Sequence, residues 1–328
     1  MVSELSAFSL NVAKRPLYSL FIDAKACFDR VTRQDVIVNA FTIGTDLRAL
    51  TIINNRLQNR NTILKYNDVL MGKIHDSVGV EQGGLLSDRL FRLVGNNQLV
   101  SAKQSNLGVK MIYPNHPEAH TMQPLIISAI GQADDTALFS NNTLHLSILA
   151  QLSETYAKNS NTIFVPKTNK YVAFVNKTLS EIPPIEYHIA PITISGKKIP
   201  LSQSAEHVGV IRDCRSIFPH LLNRMSAHKK ATSLLRFAGS GITHHTNLFA
   251  RLRAFNVFAT PILLSGIPSL IIDKTNSKTL DNFYKTSLKN TLSLPCDIPD
   301  PFLFLIAGTL PFNALVSLRQ YSLFFQIK

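Results

Sequence analysis

Apolar and polar positions divide the chain into a first part of short strand-like runs and helical periodicities, and a last part that is almost wholly helical. Residues 17–23 (LYSLFID) form a continuous apolar run suited to a buried strand, ending on a carboxylate. Thr32 with Asp35 three positions on is a capping-box-like start, with Asp in place of Glu, for a helix through about Arg56. Residues 62–70 and 73–80 read as strands around a Met71-Gly72 turn. Ser87 is the expected N-cap of a helix to about Gln104, with Asp88 placed to complement its dipole. Apolar runs at 125–131 and 136–140 flank Gln132-Ala133-Asp134-Asp135, which predicts a hairpin with acidic residues at its tip. A helix over 144–158, a strand near 171–175, a hairpin over 192–200 turning at Gly196 and a strand over 205–211 follow. From about Pro219 the pattern is helical, broken at 239–241, 261–268, 295–301 and Pro311.

That order predicts an α+β fold with a helical second lobe. With 328 residues, two lobes are expected, and the pattern places the boundary between 212 and 213. An apolar share of 45% is enough for a core and argues against disorder. The longest apolar stretch, 261–272, falls short of the roughly 20 residues a spanning helix needs, so a buried helix and turn is expected there and no membrane partner. The opening residues lack a basic start followed by an apolar run, so the chain is not expected to be secreted. Cys27, Cys214 and Cys296 are scattered and show no CxxC spacing, the usage of a reduced, intracellular protein without structural zinc.

Charge changes the picture most. Lys and Arg outnumber Asp and Glu by 34 to 21, giving +13 and a pI near 9.7, a balance that favours a polyanionic partner, nucleic acid first. Residues 213–328 carry 13 Lys or Arg and 5 Asp, a net of +8, while every Glu lies earlier. The helical end is therefore where a polyanion would rest, with Arg224, Lys229, Lys230 and Arg236 as candidate nucleic-acid contacts. A solvated basic face would look the same. Acid–base or metal chemistry belongs to the first part.

There the informative carboxylates are Asp23, at the end of one buried strand, and Asp134-Asp135, at a hairpin tip. Adjacent aspartates between apolar strands raise each other's pKa, and burial adds to it, unless something compensates their charge. A divalent cation is one solution, since Mg2+ prefers hard oxygen ligands such as one or two carboxylates with substrate phosphates. A plain hydrophilic turn is the other. Spacing alone leaves both open.

Five segments occur in order: FIDAKACFDRV (21–31), GVEQGGLLSDRLF (79–91), GQADDTALFS (131–140), VPKTNKYVAFV (165–175) and EHVGVIRD (206–213). They resemble successive palm motifs of reverse transcriptases, specifically those of non-LTR (LINE-type) retrotransposons. ATPILLSGIPSL (259–270), TLSLPCDIPDP (291–301) and AGTLPFNALVSLRQ (307–320) resemble the helical region that follows the palm in these elements. The resemblance implies a right-hand polymerase palm, an antiparallel sheet with helices, over 1–212 and a basic helical thumb over 213–328. It implies an RNA-directed DNA polymerase working on an RNA template, a DNA primer and dNTPs. Asp23 and Asp134 would be the metal-binding carboxylates, with Asp135 completing the acidic set around two Mg2+ or Mn2+ ions.

The resemblance also places Phe28 where a bulky side chain closes off a 2′-hydroxyl; a core phenylalanine would read alike. It sets Gln82-Gly83 against the incoming nucleotide and Lys167 near the triphosphate, or in a solvated loop. Asp29 fits a local turn cap better than a metal ligand. Gln132 stands where the family usually has an aromatic residue, and Asp88 replaces a common proline. Only 22 residues precede Asp23, which implies that most of the fingers region is missing. The expected location is inside the cell, in nucleus or cytoplasm.

Overall fold

The structure is a computed structural model that describes residues 2–58, 60–75, 77–81, 83–84, 86–112, 123–132, 134–165, 170–174, 191–235 and 247–326. It divides into two compact units, Leu5–Ala205 and Glu206–Lys328, the latter joined by the first residues of the chain. Helix and antiparallel sheet are mixed in the first, and helix dominates the second.

α1 (Val2–Ala7), which spans the division at Glu4/Leu5, passes into a π-helical turn (Phe8–Val12), and β1 (Leu17–Ile22) follows in the first unit. Next come α2 (Cys27–Arg30), α3 (Arg33–Thr42) and α4 (Leu47–Gln58). The predicted single helix from 33 to 56 is thus two. Gly44 at φ +87° ends the first, and Asp46 starts the second by accepting from the Arg48 and Ala49 amides at 2.9 and 3.0 Å. A hairpin of β2 (Asn61–Tyr66) and β3 (Val69–His75) turns at Asn67-Asp68 rather than at Met71-Gly72, with both turn residues at positive φ. α5 (Ser87–Gln104) ends as expected, but Leu86 occupies the N-cap and Ser87 lies inside the helix, buried.

The short ladder β4 (Val109–Met111) with β5 (Leu125–Ile127) precedes β6 (Ala129–Gln132), β7 (Asp135–Ser140), α6 (Thr143–Asn159) and β8 (Lys170–Phe174). β6, β7, β1 and β8 form a four-stranded antiparallel sheet in that order. All six residues of β1 are buried, which explains its unbroken apolar run. One face, with Leu20, Ile22 and Leu138, packs with α5 residues Leu90, Phe91 and Val94 and α6 residues Leu146, Leu149 and Ala150 in one core. Those helix positions recur every three to four residues, the spacing of a single buried stripe. β9 (Thr193–Ile194) and β10 (Lys197–Lys198) close the unit as a hairpin turning at Ser195-Gly196.

The expected strand over 205–211 is a hairpin, β11 (Ser204–His207) and β12 (Val210–Asp213), because Val208 and Gly209 both take positive φ. The division between the units falls at 205/206, inside β11 and upstream of the boundary read from the pattern. Beyond it lie α7 (Phe218–Leu235), α8 (Leu248–Ala254), α9 (Thr260–Leu264), α10 (Lys274–Leu292), α11 (Asp300–Ala307) and α12 (Phe312–Gln326). Leu280, Tyr284, Leu288 and Leu292 line one face of α10 at four-residue intervals. Tyr284 stacks between Phe255 and Phe312, with ring centroids 5.7 and 5.4 Å away. His228 is fully buried against Phe255 and Phe283, with Nδ1 at 2.9 Å from the Ala259 carbonyl and Nε2 at 2.8 Å from Ser287 Oγ.

The apolar stretch 261–272 forms the expected buried helix and turn, but the helical run that contains it begins earlier, at Leu248. Helix runs from Leu248 to Leu264, through a π-helical turn (Phe255–Ala259) and past Pro261 near the start of α9, and a turn at Ser265-Gly266 then leads into a 3-10 turn over Ile267–Ser269. The 22 residues Leu248–Ser269, that turn included, are long and apolar enough, by length and composition, to cross a membrane. Of these, Phe255, Ala259, Leu263 and Ile267 sit fully buried in the core of the helical unit.

Candidate active site

The β1–β7 ladder runs from Tyr18↔Ser140 to Ile22↔Thr136. Continued by one residue, the same register sets Asp23 opposite Asp135, on adjacent antiparallel strands. Asp135 also pairs with Gln132 across the β6–β7 hairpin, and Asp134 occupies its turn. All three aspartates are half-buried. Two aspartates 112 positions apart in sequence thus lie at the same end of the sheet because a single register aligns their strands.

The phase of that register is held from behind. Thr136 is buried, and its hydroxyl lies 3.4 Å from Gln98 Oε1 on α5. Gln98 Nε2 donates to Ser153 Oγ on α6 at 3.0 Å, and Ser153 Oγ donates to the Leu149 carbonyl at 3.1 Å. Thr136 is thereby committed to the helix-covered face. Side chains alternate along a strand, so Asp135 and Asp23 share the other face.

Beyond β1 the backbone stays pinned. The Val165 amide donates to the Asp23 carbonyl at 3.0 Å, the Lys25 amide donates to the Ile163 carbonyl at 2.8 Å, and Ala24 bridges Phe164. The chain then turns sharply into α2. Ala26 takes the left-handed conformation, φ 48° and ψ 42°, a strain of about 1–2 kcal/mol for an L-residue. Cys27 follows, buried, its thiol pushed up to about 12 by burial and further by the charge of Asp134. It is protonated and unreactive at neutral pH.

Against this turn lies the second motif. The Gly79 amide donates to the Val31 carbonyl at 2.9 Å and the Val80 amide to the Phe28 carbonyl at 2.8 Å. Gly79 sits at φ +85°, and a Cβ there would stand 2.8 Å from the Asp29 carbonyl oxygen. Only glycine allows the two backbones this approach. Gly83, at φ +84°, faces open space instead. Its glycine serves the turn and leaves backbone accessible.

The remaining sequence-derived residues fall out differently. Phe28 packs on Phe91, ring centroids 4.9 Å apart, and stays half-buried at the edge of the core. Gln82, Lys167 and Arg236 lie outside the described residues. In the helical unit, Arg224 is half-buried, Lys230 is exposed and Lys229 Nζ stands 5.7 Å from the Phe283 ring centroid. At 3.6 residues per turn, Lys229 and Lys230 project roughly 140° and 240° around α7 from Arg224. These three cations do not form one stripe.

Among the described residues, no group of three or more His, Cys, Asp or Glu side chains is arranged to hold a metal ion. The donor chemistry nonetheless fits one. Asp23, Asp134 and Asp135 offer only hard oxygens, and Mg2+ is commonly held by one or two carboxylates with substrate phosphates rather than by an all-protein cage. Gly79, Ala26 and the Thr136–Gln98–Ser153 chain escaped the sequence reading. Gly79 opens the second motif, but its contact with Asp29 spans 50 positions and has no local signature.

No protein-family model matches the chain, and no curated protein matches its sequence. Solved structures similar to it include telomerases. Telomerase from Candida tropicalis in complex with a TWJ fragment of telomeric RNA aligns over 94% of this chain and 52% of its own, at 11% identity and a TM-score of 0.46. The apo telomerase of the same organism aligns over 94% and 56%, at 11% identity and 0.43. A C-terminally truncated form aligns over 65% and 37%, at 14% identity and 0.42. The chain spans about half or less of the length of these proteins.

Proposed function

We propose that this chain is a reverse transcriptase region of a non-LTR retrotransposon, a palm and a basic thumb, and that it performs RNA-templated DNA synthesis by two-metal-ion nucleotidyl transfer. The observation that carries the reading is that β1 and β7 pair in a register ending at Ile22↔Thr136, so that Asp23 and Asp135, from the first and third of five ordered motifs, each lie one residue beyond the same end of the ladder. The pinned turn after β1 and the Gly79 contact bring the second motif to the same sheet end.

In this reading Asp23, Asp134 and Asp135 hold Mg2+, or Mn2+, which supplies charge neutralisation on the reacting phosphates and activation of the primer 3′-hydroxyl. The chain's own contribution is positioning and electrostatics, since phosphoryl transfer asks little covalent chemistry of the protein. Phe28, its ring braced by Phe91, blocks a 2′-hydroxyl. Gln82 and Gly83 line the incoming nucleotide, and Lys167 neutralises the triphosphate. Arg224, Lys229, Lys230 and Arg236 hold the phosphate backbone of a template–primer hybrid, by shape and charge more than by sequence. The work is done inside the cell, in nucleus or cytoplasm.

A second reading has its own observation. Residues 213–328 carry a net charge of +8, which a non-catalytic remnant that binds nucleic acid through its basic helices would also present. Primer extension on an RNA template with Mg2+ separates the two. Extension that disappears in Asp134→Ala/Asp135→Ala establishes the polymerase. No extension from the unmodified chain, with salt-sensitive hybrid binding kept by both, establishes the remnant.

A further inference from the structure

The sheet has a second chemically distinct end. Where β1 begins and β7 finishes, about 17 Å along β7 from Asp135, an open cleft of about 810 Å³ is cut into the first unit. Its polar walls carry Arg15, Lys110 and His145 with the amides of Asn106, Asn141 and Asn142. Its apolar floor includes Val12 and Ile112, each more than two-fifths exposed. Among the described residues that line it, none is acidic.

The cleft is built rather than incidental. Asn141 Nδ2 donates to Ser9 Oγ and to the Pro16 carbonyl, both at 2.7 Å, tying the exit of β7 to the entry of β1. Ser140 Oγ donates to the Leu107 carbonyl at 3.0 Å, fastening the strand that carries Lys110. Gly108 lets that strand lie against β5, since a Cβ there would collide with the Ile127 backbone. Asn142 caps α6 by accepting from the Leu144 amide at 2.7 Å, which sets His145 on the first turn beside the cleft.

We propose that this cleft binds a single-stranded nucleic-acid segment, separately from the carboxylate end of the sheet. Arg15 and Lys110 neutralise phosphates, the exposed Asn106 side chain and the Asn142 Nδ2 meet base edges, and Val12 with Ile112 offers apolar surface to base faces. An opening of this volume is of ligand-pocket size and far too small for a duplex. The site does not depend on whether the chain polymerises DNA.

The test uses the full chain and a 4-thiouridine-labelled oligouridylate 12-mer. Photo-crosslinked peptides are mapped, and affinity is followed against salt for the unmodified chain and for Arg15→Ala/Lys110→Ala. Both lysine and arginine side chains are exposed, so thermal unfolding of the variant should match the parent. The expected result is crosslinking within residues 8–16, 106–112 or 140–145, lost in the variant. Affinity should fall about 10-fold or more, and the log–log salt slope should shrink by about 1.4, the release from two phosphate contacts on a single strand. Crosslinks confined to other segments, or an unchanged yield and slope in a normally folded variant, would overturn the proposal.

Discussion

The two ends of the central sheet share one hydrophobic body and differ in everything polar. At one end Asp23, Asp134 and Asp135 gather carboxylates around a strained turn and a glycine contact. At the other, Arg15 and Lys110 place cations, beside His145, around an open cleft whose described lining includes no acid. Between them β1 and the core positions of β7 are buried, so charge is excluded from the middle of the strands. A buried strand can present chemistry only where it enters and leaves the core, because unpaired charge is too costly inside. The antiparallel pairing then turns each strand's ends into two separate sites.

That contrast can be broken most directly at the acidic end. Asp134→Ala/Asp135→Ala should lower primer extension by about 10³-fold or more while leaving crosslinking at the basic cleft unchanged. Equal loss at both ends would mean that the sheet itself had failed. Gly79→Val should then destabilise the first unit by about 2–4 kcal/mol in urea denaturation, because it adds positive-φ strain to a collision with Asp29. Its effect on hydrogen exchange should centre on residues 24–31 and 79–80, and spare the cleft.

A pH test asks whether the helical unit fails independently of either end. Burial, helped by the charge of Arg212, lowers His207 from the ordinary 6.5 to about 4. The folded state is therefore favoured while the ring is neutral. Its contribution is complete above about pH 6.5 and is lost as pH falls towards 4. Between pH 7 and pH 4.5 this group should cost on the order of 2–3 kcal/mol, and His207→Gln should remove that part of the acid sensitivity. Burial lowers His220 and His228 in the same direction, so the unit should remain acid-sensitive in the variant, but less so. The smallest change expected is from Ala26→Gly. Relief of the left-handed strain should raise stability by about 0.5–1 kcal/mol in thermal or urea unfolding, partly offset by glycine's greater freedom when unfolded.

Much of this organisation was legible in residue order. β1, α6 and β8 lie where the pattern placed them, since each is decided by a local apolar period. The errors share one cause. A turn at Asn67-Asp68 rather than Met71-Gly72, a hairpin at Val208-Gly209 and a helix break at Gly44 all turn on positive φ, which a hydrophobic pattern does not encode. The helix through Pro261 was missed for a related reason: proline near the start of a helical segment gives up an amide that the preceding π-helical turn leaves without its usual partner.

The candidate carboxylates were found because acidic residues beside apolar strands are conspicuous in a sequence. Spacing could not say that Asp23 and Asp135 lie at the same end of the ladder, because that depends on strand register. Nor could it anticipate the cleft, whose walls come from residues near 12, 110 and 142 that have nothing in common until the sheet assembles.

The sequence by itself determined the α+β order, the basic excess towards the helical end and which side chains were available for chemistry. Those depend on composition and short-range period. Only the tertiary structure decided which of those side chains meet, because antiparallel register, buried polar ties such as Thr136–Gln98–Ser153 and glycine-dependent backbone contacts join residues from distant parts of the chain.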